Sequence, residues 1–367
     1  MGPHNIWWPH YRLFSDYMKR ISYLMTDSLS FARVAVLCDN NRVPAEEVAG
    51  LYENQVDFHY LPVAMLKDCE VRENSLCIGA YRFDVVVDLY GYQNQEAYAA
   101  YLAGIPVVRD AASVEIREYQ TVTAKGSFPS LRAVHMQKEG ISWYLFSNEG
   151  EETIETEITV KELRDGRKPF LIRLWDFSAE DAAGRAQDSA AQGVPRNGGS
   201  GIRLKLEHCE MKLLLLLNEN EKNAAGRYWS DNGLLKNGEG IFLGDWTGQF
   251  RYAGSNSVFV SGDYVPDADR DKNSVTCQYC YTVPKGQTIT GTEYFSVTGE
   301  EMAECVCNGV FTGVSFYGPH QFRIGHLLKE GENKICLRFT GNAVNLYGAV
   351  NVPFGLENEQ HITYNRT

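Results

Sequence analysis

The chain of 367 residues contains no apolar run long enough to cross a bilayer; a stretch such as Leu213 to Leu217 falls far short of the ~20 residues a membrane helix needs. Clusters of Lys and Arg are missing as well. With 35 basic against 47 acidic residues the formal net charge is −12, which argues against a nucleic acid or an anionic membrane as partner. Met1 is not followed by a charged lead and an apolar core, so the sequence shows no signal peptide. The nine cysteines (38, 69, 77, 209, 277, 280, 305, 307, 336) are odd in number and sit in apolar contexts. They do not read as a disulfide framework and point to reduced thiols in a cytoplasm. Phosphate-cradling loops are lacking too. The segment after the first apolar strand, Asp39 to Pro44, holds no Gly, Ser or Thr, so FMN and NAD are not expected and no cofactor is assigned.

What is present is a globular composition, 44% hydrophobic, 22% charged and 12% aromatic, in a chain long enough for two or three domains. Residues 1–118 alternate between helical and strand patterns. Apolar residues at Leu13, Phe14, Tyr17, Met18, Ile21, Leu24 and Met25 predict a helix over Tyr11 to Met25. Ala32 to Cys38 predicts a buried parallel strand, and Pro44 the first turn of a helix with Glu46 and Glu47 at its positive end. Phe58 to Leu61, Phe83 to Leu89 and Ile105 to Val108 supply further strands, and Gln93 to Ala103 a helix closed by Gly104. Repeated β–α units imply a flavodoxin-like α/β domain.

Past residue 119 the helical period disappears. Trp143 to Asn148 and Glu155 to Val160 read as strands around a Glu-Gly turn, followed by strands at Pro169 to Trp175, Ile202 to Leu206 and Met211 to Leu217. Between them, residues 178–201 are rich in Ala, Gly, Asp and Gln and predict a flexible insertion in a small β-sandwich over 119–221. Residues 222–367 predict a jelly roll. Its turn signals include Asn237-Gly238, Gly262-Asp263, Lys285-Gly286 and Asn308-Gly309, the last a reversal with positive φ.

The opening Gly2-Pro3-His4-Asn5-Ile6-Trp7-Trp8-Pro9-His10-Tyr11 packs two Trp, two His and two Pro ahead of the first helix. This wording resembles the segment that follows the last barrel strand in α-L-rhamnosidase-like glycoside hydrolases, family 106 and its relatives. A second stretch, Ala303-Glu304-Cys305-Val306-Cys307-Asn308-Gly309 with Leu328-Lys329-Glu330-Gly331-Glu332-Asn333, looks like the galactose-binding-like sandwich found in many glycosidases. Trp143 to Asn148 and the Trp175-Asp176 pair are similar to further elements of the same family, so the resemblance spans most of the chain; the insertion after Trp175-Asp176 departs from it. The resemblance implies a C-terminal, non-catalytic portion of such an enzyme, whose barrel and catalytic acids lie outside this sequence. No residue here inherits a catalytic role. The partners it implies are a carbohydrate, a catalytic barrel domain or neighbouring chain, and a second copy of the chain in a homo-oligomer.

Candidate carbohydrate-binding residues follow. His4, Trp7 and Trp8 offer aromatic faces and polar edges for a sugar ring, or else the two Trp staple the first helix to its neighbour. In the jelly roll, Trp246, Tyr317 and His320 are loop aromatics suited to the same task, or to packing the return strand. Other chemistries fare worse. Cys77 is followed by a strand at Tyr81 and not by the helix that a nucleophile elbow requires. Cys277-x-x-Cys280 and Cys305-x-Cys307 on strands cannot readily aim four thiolates at one zinc. Asp267-x-Asp269-x-Asp271 lacks both the Gly and the closing Glu of a calcium loop.

Overall fold

A computed structural model describes residues 7–161, 167–175, 178–181, 201–218, 220–221, 240–242, 247–252, 260–263, 272–283, 289, 291, 293–316, 318, 320–341 and 355–363. The chain forms two compact units, residues 16–231 and residues 1–15 with 232–367. The described residues are mostly β-structure with few helices and form a parallel sheet and several antiparallel ones.

In the unit 16–231, the parallel sheet runs in the order Phe58–Pro62, Val34–Cys38, Val85–Val87, Val107–Val108. Its strands read as continuous apolar runs because both faces are covered. Ala35, Leu37 and Val86 point into one core with Leu61, Leu66 and Leu102. Val34, Val36, Val85 and Val87 point into the other with Val48, Leu51 and Ile116. Each fully buried Val or Leu here contributes about 1.5–3 kcal/mol relative to exposure.

The connections are shorter in helix than the sequence pattern predicts. The helix expected from Pro44 occupies only Ala49–Glu53, and that expected over Gln93 to Ala103 is a 3-10 turn, Tyr92–Asn94, followed by Glu96–Ala99. The strand expected over Phe83 to Leu89 divides into Tyr81–Phe83 and Val85–Val87. Tyr81–Phe83 joins Glu70–Arg72 and Ser75–Ile78 in a small antiparallel sheet, so Cys77 sits mid-strand with no helix after it.

Two antiparallel sheets complete this unit. One has the order Leu29–Ser30, Leu131–Lys138, Ile141–Asn148, Met211–Leu217, Lys168–Arg173, Ser178–Asp181; the other is Ile202–Leu206, Ile154–Val160, Val122–Ala124. Their shared core sets Leu131, Tyr144, Phe146 and Leu214 against Ile154, Ile158, Ile202 and Leu204. The Glu149-Gly150 turn therefore carries the chain from one sheet to the other. The first helix, Tyr11–Met25, has the predicted span but a different neighbour. From Tyr17 onward its inner residues, Tyr17, Ile21 and Leu24, pack on the outer face of the six-stranded sheet, against Trp143, Leu145 and Leu213. Arg20 fixes it there by donating to the carbonyls of Leu174 and Trp175 at 2.9 and 2.7 Å.

The second unit pairs a four-stranded sheet (Gly240–Phe242, Gly355–Thr363, Tyr294–Glu300, His320–Arg323) with a six-stranded one (Val260–Asp263, Thr247–Tyr252, Lys272–Val283, Gly331–Thr340, Met302–Cys307, Val310–Ser315). Phe295, Val297 and Phe322 of the first meet Cys305, Cys307, Leu337 and Phe339 of the second in a common core. Asn308 and Gly309 both have positive φ, 49° and 83°, as a two-residue hairpin between paired strands requires. Gly262-Asp263, expected as a turn, lies within a strand opposite Thr247 and Gly248. Asn237-Gly238, Lys285-Gly286, the acidic 267–271 segment and most of the 178–201 insertion fall outside the described residues.

Candidate functional site

The sequence-predicted sugar contacts separate in the structure. Trp7 is half-buried, and its indole N–H donates to the Gly341 carbonyl at 3.1 Å, so this residue ties the opening segment to the second unit. Trp8 is 41% exposed and stacks on Tyr11 at 5.3 Å between ring centroids, with Phe14 a further 6.5 Å along the same helix. His320 corrects its prediction. It opens a strand, is wholly buried, and sets its ring edge-on to Phe339 at 5.7 Å, so it is not a loop aromatic facing solvent. His4, Trp246 and Tyr317 lie outside the described residues. Beside Trp7, His10 approaches the Glu304 carboxylate at 3.3 Å, and Arg338 donates to the other oxygen of that carboxylate. Burial lowers the His10 pKa, against the upward pull of Glu304.

Cys305 and Cys307 are core residues whose thiols burial pushes up to about 12 and about 11. Among the described residues no three His, Cys, Asp or Glu side chains are grouped to hold a metal ion. No helix there is long and apolar enough to cross a membrane.

A better-formed site occupies the carboxyl edge of the parallel sheet. From the strand Val34–Cys38 the chain passes to one neighbour, Phe58–Pro62, and later to the other, Val85–Val87. Loops leaving adjacent strands in opposite directions open a crevice between them. That crevice belongs between Val34–Cys38 and Val85–Val87; an open cleft of ≈ 460 Å³ lies on the other side of Val34–Cys38, between residues 39–42 and residues 62–64. The 39–42 loop is closed on itself, with mutual backbone hydrogen bonds between Asp39 and Arg42 at 3.3 and 3.2 Å. One Asp39 oxygen accepts from the Asn41 amide at 2.8 Å and the other from the Tyr92 hydroxyl at 2.9 Å. These two donors, the backbone amide first, hold the Asp39 carboxyl below its ordinary range, so it is an anion at neutral pH. Desolvation, then the bond to Asp39, pushes Tyr92 up to about 12, so its hydroxyl stays a donor.

Tyr92 is itself positioned by Asp88, which is wholly buried at the end of Val85–Val87. Its two carboxylate oxygens accept the Tyr92 and Gln93 amides at 3.0 and 2.8 Å, and Gly91, at φ 78°, makes the turn. Arg42 lies 3.6 Å over the Tyr90 ring, whose hydroxyl donates to Glu47 at 2.8 Å. Sequence reasoning missed this assembly because Asp39 and Tyr92 are 53 positions apart. The available signal was the placement of polar loops directly after two apolar strands of a β–α repeat.

The chain is thus, by fold, a β-rich protein with a parallel sheet whose carboxyl edge carries a polar cleft. That fold is found in a rhamnosidase from Novosphingobium sp. PP1Y, which superposes over 98% of this chain with a TM-score of 0.69 at 14% sequence identity. The chain spans 41% of that protein's length. An α-L-rhamnosidase from Dictyoglomus thermophilum (TM-score 0.22, 10% identity, 60% of this chain and 26% of that one) overlaps far less. So does a putative β-galactosidase from Bacteroides fragilis (0.28, 15%, 35% and 23%), and neither carries weight here. No protein-family model matches the chain, and no curated protein matches it in sequence.

Proposed function

We propose that this chain is the C-terminal, non-catalytic portion of a glycoside hydrolase of the α-L-rhamnosidase-like kind. In this reading the parallel sheet within residues 1–118 is the core of a flavodoxin-like domain, 119–221 is a small sandwich and 222–367 a galactose-binding-like jelly roll, with residues 1–15 grouped with the last and the first helix packed from Tyr17 onward on the sandwich. The work of the chain is architectural: it supports a catalytic barrel, on the same or a neighbouring chain, and borders the sugar that the barrel holds. The observation that carries the reading is the superposition over 98% of this chain on 41% of a rhamnosidase. Among the described residues Cys38, Cys305 and Cys307 are buried thiols outside any disulfide, which favours the cytoplasm as its compartment.

Support comes also from the first helix and the turn before it. Trp8, Tyr11 and Phe14 are each about two-fifths exposed, and their rings follow one another at 5.3 and 6.5 Å to form an apolar surface at helical spacing. Such a face on a soluble protein marks a contact with another polypeptide. The test is light scattering of the chain mixed with a barrel polypeptide encoded in frame with it or beside it. A stable complex is expected, weakened at least about tenfold by the double substitution Tyr11→Ser, Phe14→Ser, a loss of about 1.4 kcal/mol. A chain that self-associates through this face and ignores the barrel would instead be a free-standing oligomerisation or carbohydrate-binding scaffold.

A further inference from the structure

We infer that the cleft at the carboxyl edge of the parallel sheet is a binding site for a neutral, polyhydroxylated ligand of monosaccharide to disaccharide size. The inference goes beyond the architectural role and stands whether or not the chain seats a barrel. Position comes first. In open α/β sheets ligands bind outside the carboxyl ends of the strands, and the cleft lies there, between the loop that follows Val34–Cys38 and the residues that end and follow Phe58–Pro62. Size agrees, because ≈ 460 Å³ is within the roughly 300–1,000 Å³ range of small-ligand sites.

The lining selects the chemistry. One wall is polar, residues 39–42, and the facing wall of Pro62, Val63 and Ala64 is apolar. A sugar presents that same pairing, hydroxyl edges and a C–H face. The Asp39 carboxylate accepts from the Asn41 amide and the Tyr92 hydroxyl and has further acceptor capacity for a ligand hydroxyl. Its orientation is set before any ligand arrives, through the chain Asp88 to Tyr92 to Asp39. The exposed Asn40 and Asn41 offer both donors and acceptors, and Arg42, 3.6 Å over the Tyr90 ring, offers donors only.

An anionic ligand fits poorly. Asp39 is ionised in the cleft, Glu47 lies behind Arg42 by way of Tyr90, and the loop has no glycine-rich cradle of amides. A purely apolar ligand would leave Asp39 and the two Asn desolvated without partners.

The experiment is a titration of the full chain, methyl-labelled at valine, followed through the Val63 signals. The probes are L-rhamnose, D-galactose and D-glucose, with inorganic phosphate and glucuronate as charged controls. At least one neutral sugar is expected to shift Val63 in a saturable way, and both Asp39→Asn and Asn40→Ala to weaken that binding about tenfold or more. Asp39→Asn also loosens the loop, whereas Asn40 is exposed and its truncation leaves the Asp39 contacts in place, so the second variant keeps the test clean of misfolding. Val63 signals unmoved by every neutral sugar would overturn the inference. So would binding indifferent to both substitutions, or a response to phosphate and glucuronate alone.

Discussion

Asn333 has no exposed surface, and every polar hydrogen and lone pair of its carboxamide that the fold can reach is in use. Its oxygen accepts from the Lys329 amide at 2.9 Å and from the Asn308 side chain at 2.8 Å. Its nitrogen donates to the carbonyls of Lys329 and Gly331 at 2.8 and 2.9 Å. Asn308 in turn donates to the Leu327 carbonyl and accepts from the Lys334 amide, both at 2.9 Å. Two Asn side chains thus lock the hairpin turn at Asn308-Gly309 to the loop that precedes Gly331–Thr340. Asn333→Ala takes the acceptor from two part-buried donors and the donor from two carbonyls, and is expected to destabilise the second unit by about 2 kcal/mol in urea unfolding. Val310→Ala, exposed in the same hairpin, is expected to stay within about 0.5 kcal/mol. Equal effects would mean the Asn pair is ornamental. These residues were legible in the sequence as turn formers, but their mutual contact across 25 positions was not.

Between elements, the informative junction joins the parallel-sheet layer to the first pair of antiparallel sheets. Gln55, at φ 51° after the helix Ala49–Glu53, donates to the carbonyls of Phe128 and Leu131 at 3.1 and 3.2 Å. Two residues on, a carboxylate oxygen of Asp57 faces the backbone amide of His135 at 3.4 Å, and the His135 ring lies between Phe31 and Tyr144 at 4.6 and 4.2 Å. Desolvation pushes Asp57 up to about 6 from the 3.8 of an ordinary Asp, outweighing its hydrogen bonds. Between about pH 4 and pH 6 the folded chain then keeps a proton that the unfolded chain has released, so Asp57 makes stability fall as pH rises through that window. The full cost, about 3 kcal/mol before solvent screening reduces it, persists above it. Asp57→Asn is expected to match the wild type near pH 4 and to exceed it in stability at pH 7, measured by urea unfolding at both. A constant difference across the range would refute a raised Asp57.

Elements were legible wherever one period prevailed. The helix Tyr11–Met25 and the strands Val34–Cys38 and Met211–Leu217 stand close to their expected positions. The strand Leu131–Lys138 escaped notice, since Arg132, His135 and Gln137 dilute its alternation, although Glu139-Gly140, at φ 52° and 81°, is a strong hairpin turn. The helices after Pro44 and Gln93 were overcalled. Their segments wrap the sheet in short turns, each held by side chains such as Asp88 whose acceptors are not visible in a linear pattern. Which face a helix buries also lay beyond the sequence, because the apolar stripe of the first helix fits the outer face of an antiparallel sheet as well as a parallel one.

At the scale of the molecule, both resemblance and superposition lead to a glycosidase-like architecture, while this chain covers only 41% of the rhamnosidase it superposes on. The aromatic opening was read as the rim of a sugar site. In the structure it anchors through Trp7 and exposes Trp8 beside Tyr11, and the open cleft at the sheet edge is lined by other residues, 39–42 and 62–64. The central claim is that this chain supports catalysis without performing it. The most direct test is the hydrolysis of 4-nitrophenyl α-L-rhamnopyranoside by the purified chain alone, where the expected rate is that of buffer. Turnover above buffer that survives repurification and is abolished by replacing a single acidic residue of this chain would contradict the account.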